Sequence, residues 1–134
     1  MKKLFVTGAS GLLGSKIVEL AIEGYEVVQL HHTKPLHPNS LKLDITDQKQ
    51  LFSLFIKLKP DIVLHTASET NVDKCETQKD HAWKVNVEGT KNIAVACNKT
   101  GAKLVYISTD YVFDGEKGNY TEHNQPNPVN HYGI

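Results

Sequence analysis

The feature that most constrains this chain is a glycine-rich turn, which reads Val-Thr-Gly-Ala-Ser-Gly-Leu-Leu-Gly at residues 6–14. It follows the short apolar run Leu4–Val6 and opens a helical pattern that continues to about Ile22. The order strand, glycine turn, helix is the setting in which a dinucleotide fingerprint binds its pyrophosphate. The turn therefore predicts a nucleotide coenzyme site almost at the N-terminus.

The three glycines of this turn have separate expected roles. Gly8 lets the chain turn sharply, Gly11 lets backbone approach the pyrophosphate, and Gly14 lets the helix pack closely on the sheet. The free N–H groups of the first helical turn favour a bound anion. The spacing is Gly-x-x-Gly-x-x-Gly rather than Gly-x-Gly-x-x-Gly. We assign coenzyme binding to six residues of the turn, namely Gly8, Ser10, Gly11, Leu12, Leu13 and Gly14.

Length and composition indicate one domain, residues 1–134, with enough hydrophobic residues (40%) for a core. The formal net charge is zero, which does not fit a nucleic-acid binder. No apolar run is long enough for a membrane span, and no signal peptide precedes the first strand, so we expect a cytoplasmic protein. Cys75 and Cys97 lack Cys-x-x-Cys spacing and the histidines form no ligand pair, so we expect reduced cysteines and no metal site.

Strand and helix patterns alternate along the chain. Strands are predicted at 4–6, 27–30, 41–43, 61–68 with its outgoing turn, and 103–107. Helices are predicted at 11–22, 48–59 and 80–99. Connections of this length return parallel and right-handed. The pattern predicts an α/β fold of the Rossmann type, a doubly wound parallel sheet of strand order 3-2-1-4-5 in three αβα layers.

The end of the second strand indicates which coenzyme is preferred. An NAD site carries an acid there for the ribose 2′-hydroxyl, but the segment His31–Lys34 has none. His32 and Thr33, with Lys34, would accept a 2′-phosphate. We therefore predict NADP(H), with NAD(H) as the alternative. His32 and Lys34 are equally compatible with a solvated loop.

Two acids follow the third strand, and we expect different roles for them. Asp44, with Ile45 beside it, is placed to accept a hydrogen bond from the adenine amino group. Asp47 is predicted to cap the next helix because Gln50 stands three residues later.

Small and polar residues follow the fourth strand and lie on the long helix. Thr66, Ala67 and Ser68 leave room for a flat ligand against the backbone. Asn86 lies on or near a buried helical stripe and needs a partner, as a structural hydrogen-bonder or as part of a proton relay. Trp83 on this helix and Tyr106 in the fifth strand are expected to be packing residues.

The fifth strand delivers Ser108, Thr109, Asp110 and Tyr111 at the sheet edge where ligands bind in open parallel sheets. A long irregular loop with Gly115, Gly118 and two prolines comes next, and loops of this length are usually functional. The chain then ends at Tyr132-Gly133-Ile134.

Together these motifs resemble the extended short-chain dehydrogenase/reductases. The matching motifs are the residue 7–14 turn, His65-Thr66-Ala67, Asn86 with Gly89-Thr90, residues 108–115, and Tyr132-Gly133. Asn71-Val72-Asp73 with Cys75-Glu76, and Tyr120-Thr121-Glu122, look most like the dTDP-4-dehydrorhamnose reductase group. The resemblance covers essentially the whole chain.

The resemblance implies NAD(P)H-dependent reduction of the C4 carbonyl of a nucleotide-linked 4-keto-6-deoxy sugar, giving dTDP-L-rhamnose. Tyr132 would donate the proton and contact the coenzyme, and Thr109 would hydrogen-bond the carbonyl oxygen. Asp110 and Tyr111 would shape the sugar pocket, and Asn86 would support the coenzyme site. A homodimer is possible.

The sequence departs from the family pattern at its end. The family lowers the pKa of its tyrosine with a lysine four residues later, and that position lies two residues beyond Ile134. The substrate domain is also expected outside these 134 residues, so the chain alone is expected to be inactive. Two alternatives remain: a non-catalytic regulatory subunit like methionine adenosyltransferase β, or a nucleotide-sugar epimerase or dehydratase.

Overall fold

A five-stranded parallel sheet forms the centre of the computed structural model, which describes residues 1–21 and 23–134. The strands are β1 (Lys2–Thr7), β2 (Tyr25–His31), β3 (Leu41–Lys42), β4 (Ile62–His65) and β5 (Lys103–Tyr106). Their order is β3-β2-β1-β4-β5 and every pairing is parallel, so the predicted sheet is confirmed. Thr7, the last residue of β1, is in register with Leu30 and His65. Three strand ends therefore meet at the glycine turn.

Helices cover both faces of this sheet. They are α1 (Leu12–Ala21), α2 (Gln48–Leu58), α3 (Val72–Thr77), α4 (Lys79–Ala82) and α5 (Thr90–Thr100). The predicted end of the first helix, Ile22, lies outside the described residues. The predicted 80–99 helix is interrupted by a π-helical segment, Trp83–Gly89. The α3 helix and a 3₁₀ turn, Asp110–Val112, were not predicted.

The core has two parts, one on each face of the sheet. The larger part lies under α2 and α5 and includes Phe5 and Phe55, whose rings meet edge to face with centroids 5.2 Å apart. The smaller part lies under α1 and includes Leu4, Val6 and Val18. Because β1 contributes alternate residues to both parts, it is the central strand of the three-layer fold.

The predicted cap of α2 is confirmed. The Asp47 side chain accepts a hydrogen bond from the Gln50 N–H at 3.0 Å, which satisfies one of the free donors of the first turn. Lys59 ends the helix in the left-handed conformation, with φ +48°. This helix presents Leu51 and Phe55 to the core, as its spacing indicates.

Two expected packing residues are exposed instead. The structure leaves Trp83 47% and Tyr106 52% exposed, so the expectation that both pack in the core is wrong. Tyr106 lies on an outer strand, where one face of its ring stacks on His65. Leu20 in α1 is also exposed, because the helix contacts the sheet through Gly14 and Val18. Within the described ranges, we find no helix with the length and apolar character needed to cross a bilayer.

Candidate active site

Two glycines of the turn are required by close backbone packing. Gly8 has φ +66°, and a Cβ there would lie 2.8 Å from the Ala67 nitrogen. A Cβ on Gly14 would lie 2.2 Å from the Gly8 carbonyl oxygen. The start of α1 therefore rests directly on the turn, and no larger residue fits at either position without backbone movement.

The start of α1 has hydrogen-bond donors to offer. The Gly11 N–H closes the turn by donating to the Gly8 carbonyl at 2.9 Å. Among the described residues, the N–H groups of Leu12 and Leu13 donate to no protein acceptor. A Cβ on Gly11 would meet only the Gly8 carbonyl oxygen, at 3.2 Å, so the outer side of the turn is bare backbone. Bare backbone with free N–H groups fits a pyrophosphate.

A buried hydrogen-bond network holds the turn from beneath. The Thr7 hydroxyl oxygen accepts from the N–H groups of Thr66 at 3.2 Å and Ala67 at 3.3 Å, and it lies 2.7 Å from His65 Nδ1. Because Thr7 already accepts twice, its own proton is donated to Nδ1. His65 then carries its proton on Nε2, which donates to the Thr90 hydroxyl at 3.0 Å. The network joins β1, β4 and α5.

Burial keeps the His65 ring neutral. His65 is 1% exposed, and loss of hydration lowers the pKa of its imidazole to about 4. Both ring nitrogens already have partners, so a second proton would break the donation from Thr7. This histidine is therefore part of the support of the turn at neutral pH.

A first cavity, which we call the β2–β3 cavity, has a volume of about 240 Å³. Eight residues predicted to bind coenzyme line it: Gly8, Ser10, His32, Thr33, Asp44, Ile45, Ala67 and Ser68. The cavity lies at the carboxyl ends of β1, β2 and β4, beside the exit of β3. Its walls are the turn on one side and the His32–Thr33 and Asp44–Ile45 exits on the other.

Asp44 is one of the two acids that line the β2–β3 cavity, and Glu69 is the other. Its Oδ1 accepts hydrogen bonds from the Thr46 N–H at 2.9 Å and hydroxyl at 2.8 Å, and its Oδ2 lies 3.8 Å from His32 Nε2. Partial burial raises the pKa of this carboxyl, but the Thr46 hydrogen bonds and the charges of His32 and Lys84 outweigh it, so the pKa lies below its usual value. Asp44 is therefore an ionised acceptor facing the cavity.

The second cavity, the β5 cavity, has a volume of about 420 Å³. The predicted residues that line it are Gly8, Gly11, Leu12, Leu13, Gly14, Thr66, Ser68, Asn86, Thr109 and Tyr132. Thr109 and Tyr132, predicted to be catalytic, thus face the same space as the start of α1. Gly8 and Ser68 line both cavities, so the two cavities adjoin at the turn.

Asn86 is a structural hydrogen-bonder in this arrangement. Its Oδ1 accepts from the Ser68 hydroxyl at 2.9 Å and the Glu69 N–H at 2.8 Å, and its Nδ2 donates to the Glu69 carbonyl at 3.0 Å. The π-helical segment carries this side chain, as is common at functional sites. Of the two roles open from the sequence, the geometry matches the support of the wall after β4.

Asp110 and Tyr111 line neither of these cavities. They line a third, the loop cavity, of about 540 Å³, together with Asp114 and Tyr120. The Tyr111 ring nevertheless meets the Tyr132 ring edge to face, with centroids 5.5 Å apart. The predicted sugar-binding pair is therefore adjacent to the β5 cavity rather than within it.

Sequence reasoning missed several lining residues. Glu69 and His81 line the β2–β3 cavity, 3.8 Å apart. The wall of the β5 cavity includes Thr70, and also Ser108, which was expected at this sheet edge but given no role. Ser108 and Thr70 follow the ends of β5 and β4, so strand ends were a usable signal for them. No sequence signal indicates His81, because its place at the cavity depends on where α4 lies in the fold. Within the described part of the chain, His, Cys, Asp and Glu form no cluster of three or more that could hold a metal ion.

Known proteins are similar to this chain in sequence and in fold. The dTDP-4-dehydrorhamnose reductase of Aggregatibacter actinomycetemcomitans is 35% identical over 136 residues, which cover 99% of this chain and 44% of the relative. Methionine adenosyltransferase 2 subunit beta of Xenopus tropicalis is 34% identical, covering 98% of this chain and 40% of the relative. This chain thus spans less than half the length of these relatives.

A solved structure agrees closely with the fold. It is the dTDP-4-dehydrorhamnose reductase of Bacillus anthracis in complex with NADP, with a TM-score of 0.89 and 38% identity, covering 99% of this chain and 46% of that one. The model of the family described as RmlD substrate binding domain matches residues 1–134. The resemblance to the dTDP-4-dehydrorhamnose reductase group is therefore confirmed, and the chain belongs to the RmlD substrate binding domain family.

Proposed function

We propose that residues 1–134 are the coenzyme-binding part of an NADPH-dependent reductase that acts on the 4-keto group of a nucleotide sugar. The observation that carries this proposal is the β5 cavity, which Thr109 and Tyr132 share with the free N–H groups of α1. Such a cavity brings a hydroxyl pair to the place where a nicotinamide would lie if its pyrophosphate bound the turn. The NADP complex of the Bacillus anthracis relative supports the choice of coenzyme.

In this proposal the two cavities hold the two ends of the coenzyme. Asp44 and Ile45 bind the adenine end in the β2–β3 cavity, and His32 with Thr33 accepts the 2′-phosphate. The bare backbone of Gly11 and the N–H groups of Leu12 and Leu13 hold the pyrophosphate. NADPH, when bound, supplies the hydride for the substrate carbonyl carbon.

The chain's own residues then handle the proton and the developing charge. Tyr132 donates its phenolic proton to the carbonyl oxygen, while the Thr109 hydroxyl hydrogen-bonds the same oxygen and stabilises the alkoxide. Thr109 Oγ1 accepts from the Tyr111 N–H at 3.2 Å and donates its own proton to Asp110 Oδ1 at 3.4 Å. In this proposal the hydroxyl turns from Asp110 to the carbonyl oxygen when the substrate binds. Asp110 and Tyr111 border the sugar on the loop side.

The first experiment measures NADPH oxidation by the intact protein with dTDP-4-dehydrorhamnose. We expect turnover with this substrate, and tighter binding of NADP than of NAD to the chain. Tight NADP binding without any oxidation of NADPH would reject the reductase while retaining the coenzyme site.

A second candidate is a non-catalytic regulatory subunit, which the similarity to methionine adenosyltransferase 2 subunit beta supports. The discriminating position is the fourth residue after Tyr132. A lysine there favours the reductase, because its charge stabilises the phenolate. Another residue there, together with stable capture of a larger enzyme in a pull-down, favours the regulatory subunit.

A further inference from the structure

The segment that carries Tyr132 is attached to a distant helix through one carboxylate. The backbone N–H of His131 donates a hydrogen bond to the Glu76 carboxylate, 55 residues earlier in the chain. Glu76 lies near the end of α3, in the Asn71–Glu76 motif that the function proposed above does not use. The contact fixes the residue immediately before Tyr132.

The α3 helix is itself held to Glu69, in the wall of the β2–β3 cavity. The Lys74 ammonium forms a close ion pair with the Glu69 carboxylate, and Asn71 caps the helix by accepting from the Lys74 N–H at 2.9 Å. The buried Cys75 thiol donates to the Glu69 carbonyl at 3.6 Å. Glu69 is held in turn by the Asn86 amide. A continuous set of contacts therefore runs from the cavity wall to Glu76.

On its other side, the Tyr132 segment packs on the turn after β5. A Cβ on Gly133 would lie 2.1 Å from the Tyr111 carbonyl oxygen, so this backbone contact is close. The Gly133 N–H donates to Asn130 Oδ1 at 2.9 Å, which shapes the chain reversal. Packing thus limits Tyr132 on one side, and Glu76 is the polar anchor on the other.

The charge of Glu76 suits this anchoring role. The His131 N–H and the Lys79 ammonium, 3.6 Å away, keep the pKa of the Glu76 carboxyl below its usual value. Glu76 does not line the β2–β3 cavity or the β5 cavity, so it acts on a bound ligand only through the segment it holds.

We propose that Glu76 is a positioning residue for Tyr132, holding the proton donor at the correct depth in the β5 cavity by anchoring the His131 N–H. This inference rests on the proposed reductase function, in which Tyr132 meets the substrate carbonyl. It assigns a role to the Asn71–Glu76 motif, which connects the wall of the β2–β3 cavity with the segment that carries Tyr132.

Three variants of the intact protein test the assignment. Glu76→Ala removes the acceptor, Glu76→Gln keeps an acceptor oxygen without the charge, and Lys79→Ala is the control that removes only the ion-pair partner. We measure kcat, the NADP dissociation constant and amide hydrogen exchange over residues 128–134. For Glu76→Ala we expect kcat to fall by about tenfold or more and exchange at 131–133 to accelerate, while NADP affinity stays within about twofold. Glu76→Gln should recover most of both losses, and Lys79→Ala should behave as wild type.

The outcomes separate this inference from the proposed function. An active wild type whose Glu76→Ala variant keeps its kcat and its exchange protection overturns the positioning role alone. A loss of kcat in Glu76→Ala that comes with an equal loss of NADP affinity also overturns it. So does a loss of kcat that Glu76→Gln does not restore. A wild type that binds NADP but never reduces the sugar overturns the reductase, and the positioning role with it.

Discussion

The two halves of the site are held together by different forces. At the glycine turn, which borders both cavities, the backbone rests on close or buried partners: Gly14 on the Gly8 carbonyl, and Thr7 on His65. Around Thr109 and Tyr132, the chain is irregular and is ordered by hydrogen bonds to the carboxylates of Asp114 and Glu76. Changes in the first region should therefore alter folding and coenzyme binding together, whereas changes in the second should alter the chemistry alone.

The loop that precedes Tyr132 shows this second kind of order clearly. The Asp114 carboxylate accepts from the Tyr120 hydroxyl, from Asn127 Nδ2 at 2.9 Å and from the Glu116 N–H at 3.1 Å. These donors lower the pKa of the Asp114 carboxyl to about 2, so it stays ionised. The Phe113 and Tyr120 rings stack with centroids 4.5 Å apart. One acid and one aromatic pair thus organise a loop that has no strand or α-helix.

The largest effect is expected from Tyr132→Phe, which removes the proposed proton donor and keeps the ring. We expect kcat of the intact protein to fall by roughly a thousandfold, the middle of the range for general acid catalysis. The free energy of unfolding should barely change. Steady-state kinetics and urea unfolding measure the two quantities, with Tyr25→Phe as a control outside the site. A matching loss of stability would show that the two halves are not separable.

A somewhat smaller effect is expected from Gly14→Ala in the buried region. The added Cβ meets backbone, 2.2 Å from the Gly8 oxygen, so the helix must move. We expect the free energy of unfolding to fall by about 3 kcal/mol, and NADP binding to weaken with it. Gly24→Ala is the matched control, because a Cβ at that position meets none of the described atoms within 4 Å, its chain neighbours aside. Equal stability of the two variants in urea titrations would contradict the packing argument.

We expect the free energy of unfolding to depend on pH through His65, in the same buried region. Its folded pKa of about 4 lies below the unfolded value of 6.5, so between these values the unfolded chain binds more protons. Stability attributable to this ring is therefore present above pH 6.5 and is lost as the pH falls towards 4, by about 2 kcal/mol at pH 5. The measurement compares urea unfolding of wild type and His65→Gln at pH 7 and pH 5. Identical pH slopes in the two proteins would refute the assignment.

The smallest effect is expected at the rim of the β2–β3 cavity. Thr33→Val removes one hydroxyl that we propose contacts the 2′-phosphate, and NADP affinity should fall by roughly tenfold. Titration calorimetry with NAD is the internal control, since NAD lacks that phosphate. A parallel loss of affinity for both coenzymes would place Thr33 elsewhere in the site.

The buried region was also the more predictable one from sequence. The glycine spacing implied that Gly8 turns the chain and that Gly14 sits tightly on its neighbour, and the Cβ distances agree. The strand order and the Asp47 cap followed equally from local patterns. These features depend on backbone geometry and on residues a few positions apart, which a sequence displays directly.

The irregular region depends on contacts between distant residues. The expected uniform helix over 80–99 contains a π-helical segment, and nothing in its spacing indicates the wider turn that directs Asn86 towards Glu69. The exposure of Trp83 and Tyr106 reflects which layers cover them, not their own hydrophobicity. The attachment of His131 to Glu76 joins residues 55 apart, and no local pattern encodes that pairing.

Gly8 and Ser68 border both the β2–β3 cavity and the β5 cavity, whose other lining residues are different. A ligand with one end in each cavity would therefore contact two different sets of residues. Substitutions in the β5 cavity then change the reactive end of the site and leave the residues around the nucleotide unchanged. This separation of the two walls is a physical reason why a reductase and a methionine adenosyltransferase subunit can both be similar to this chain, at 35% and 34% identity.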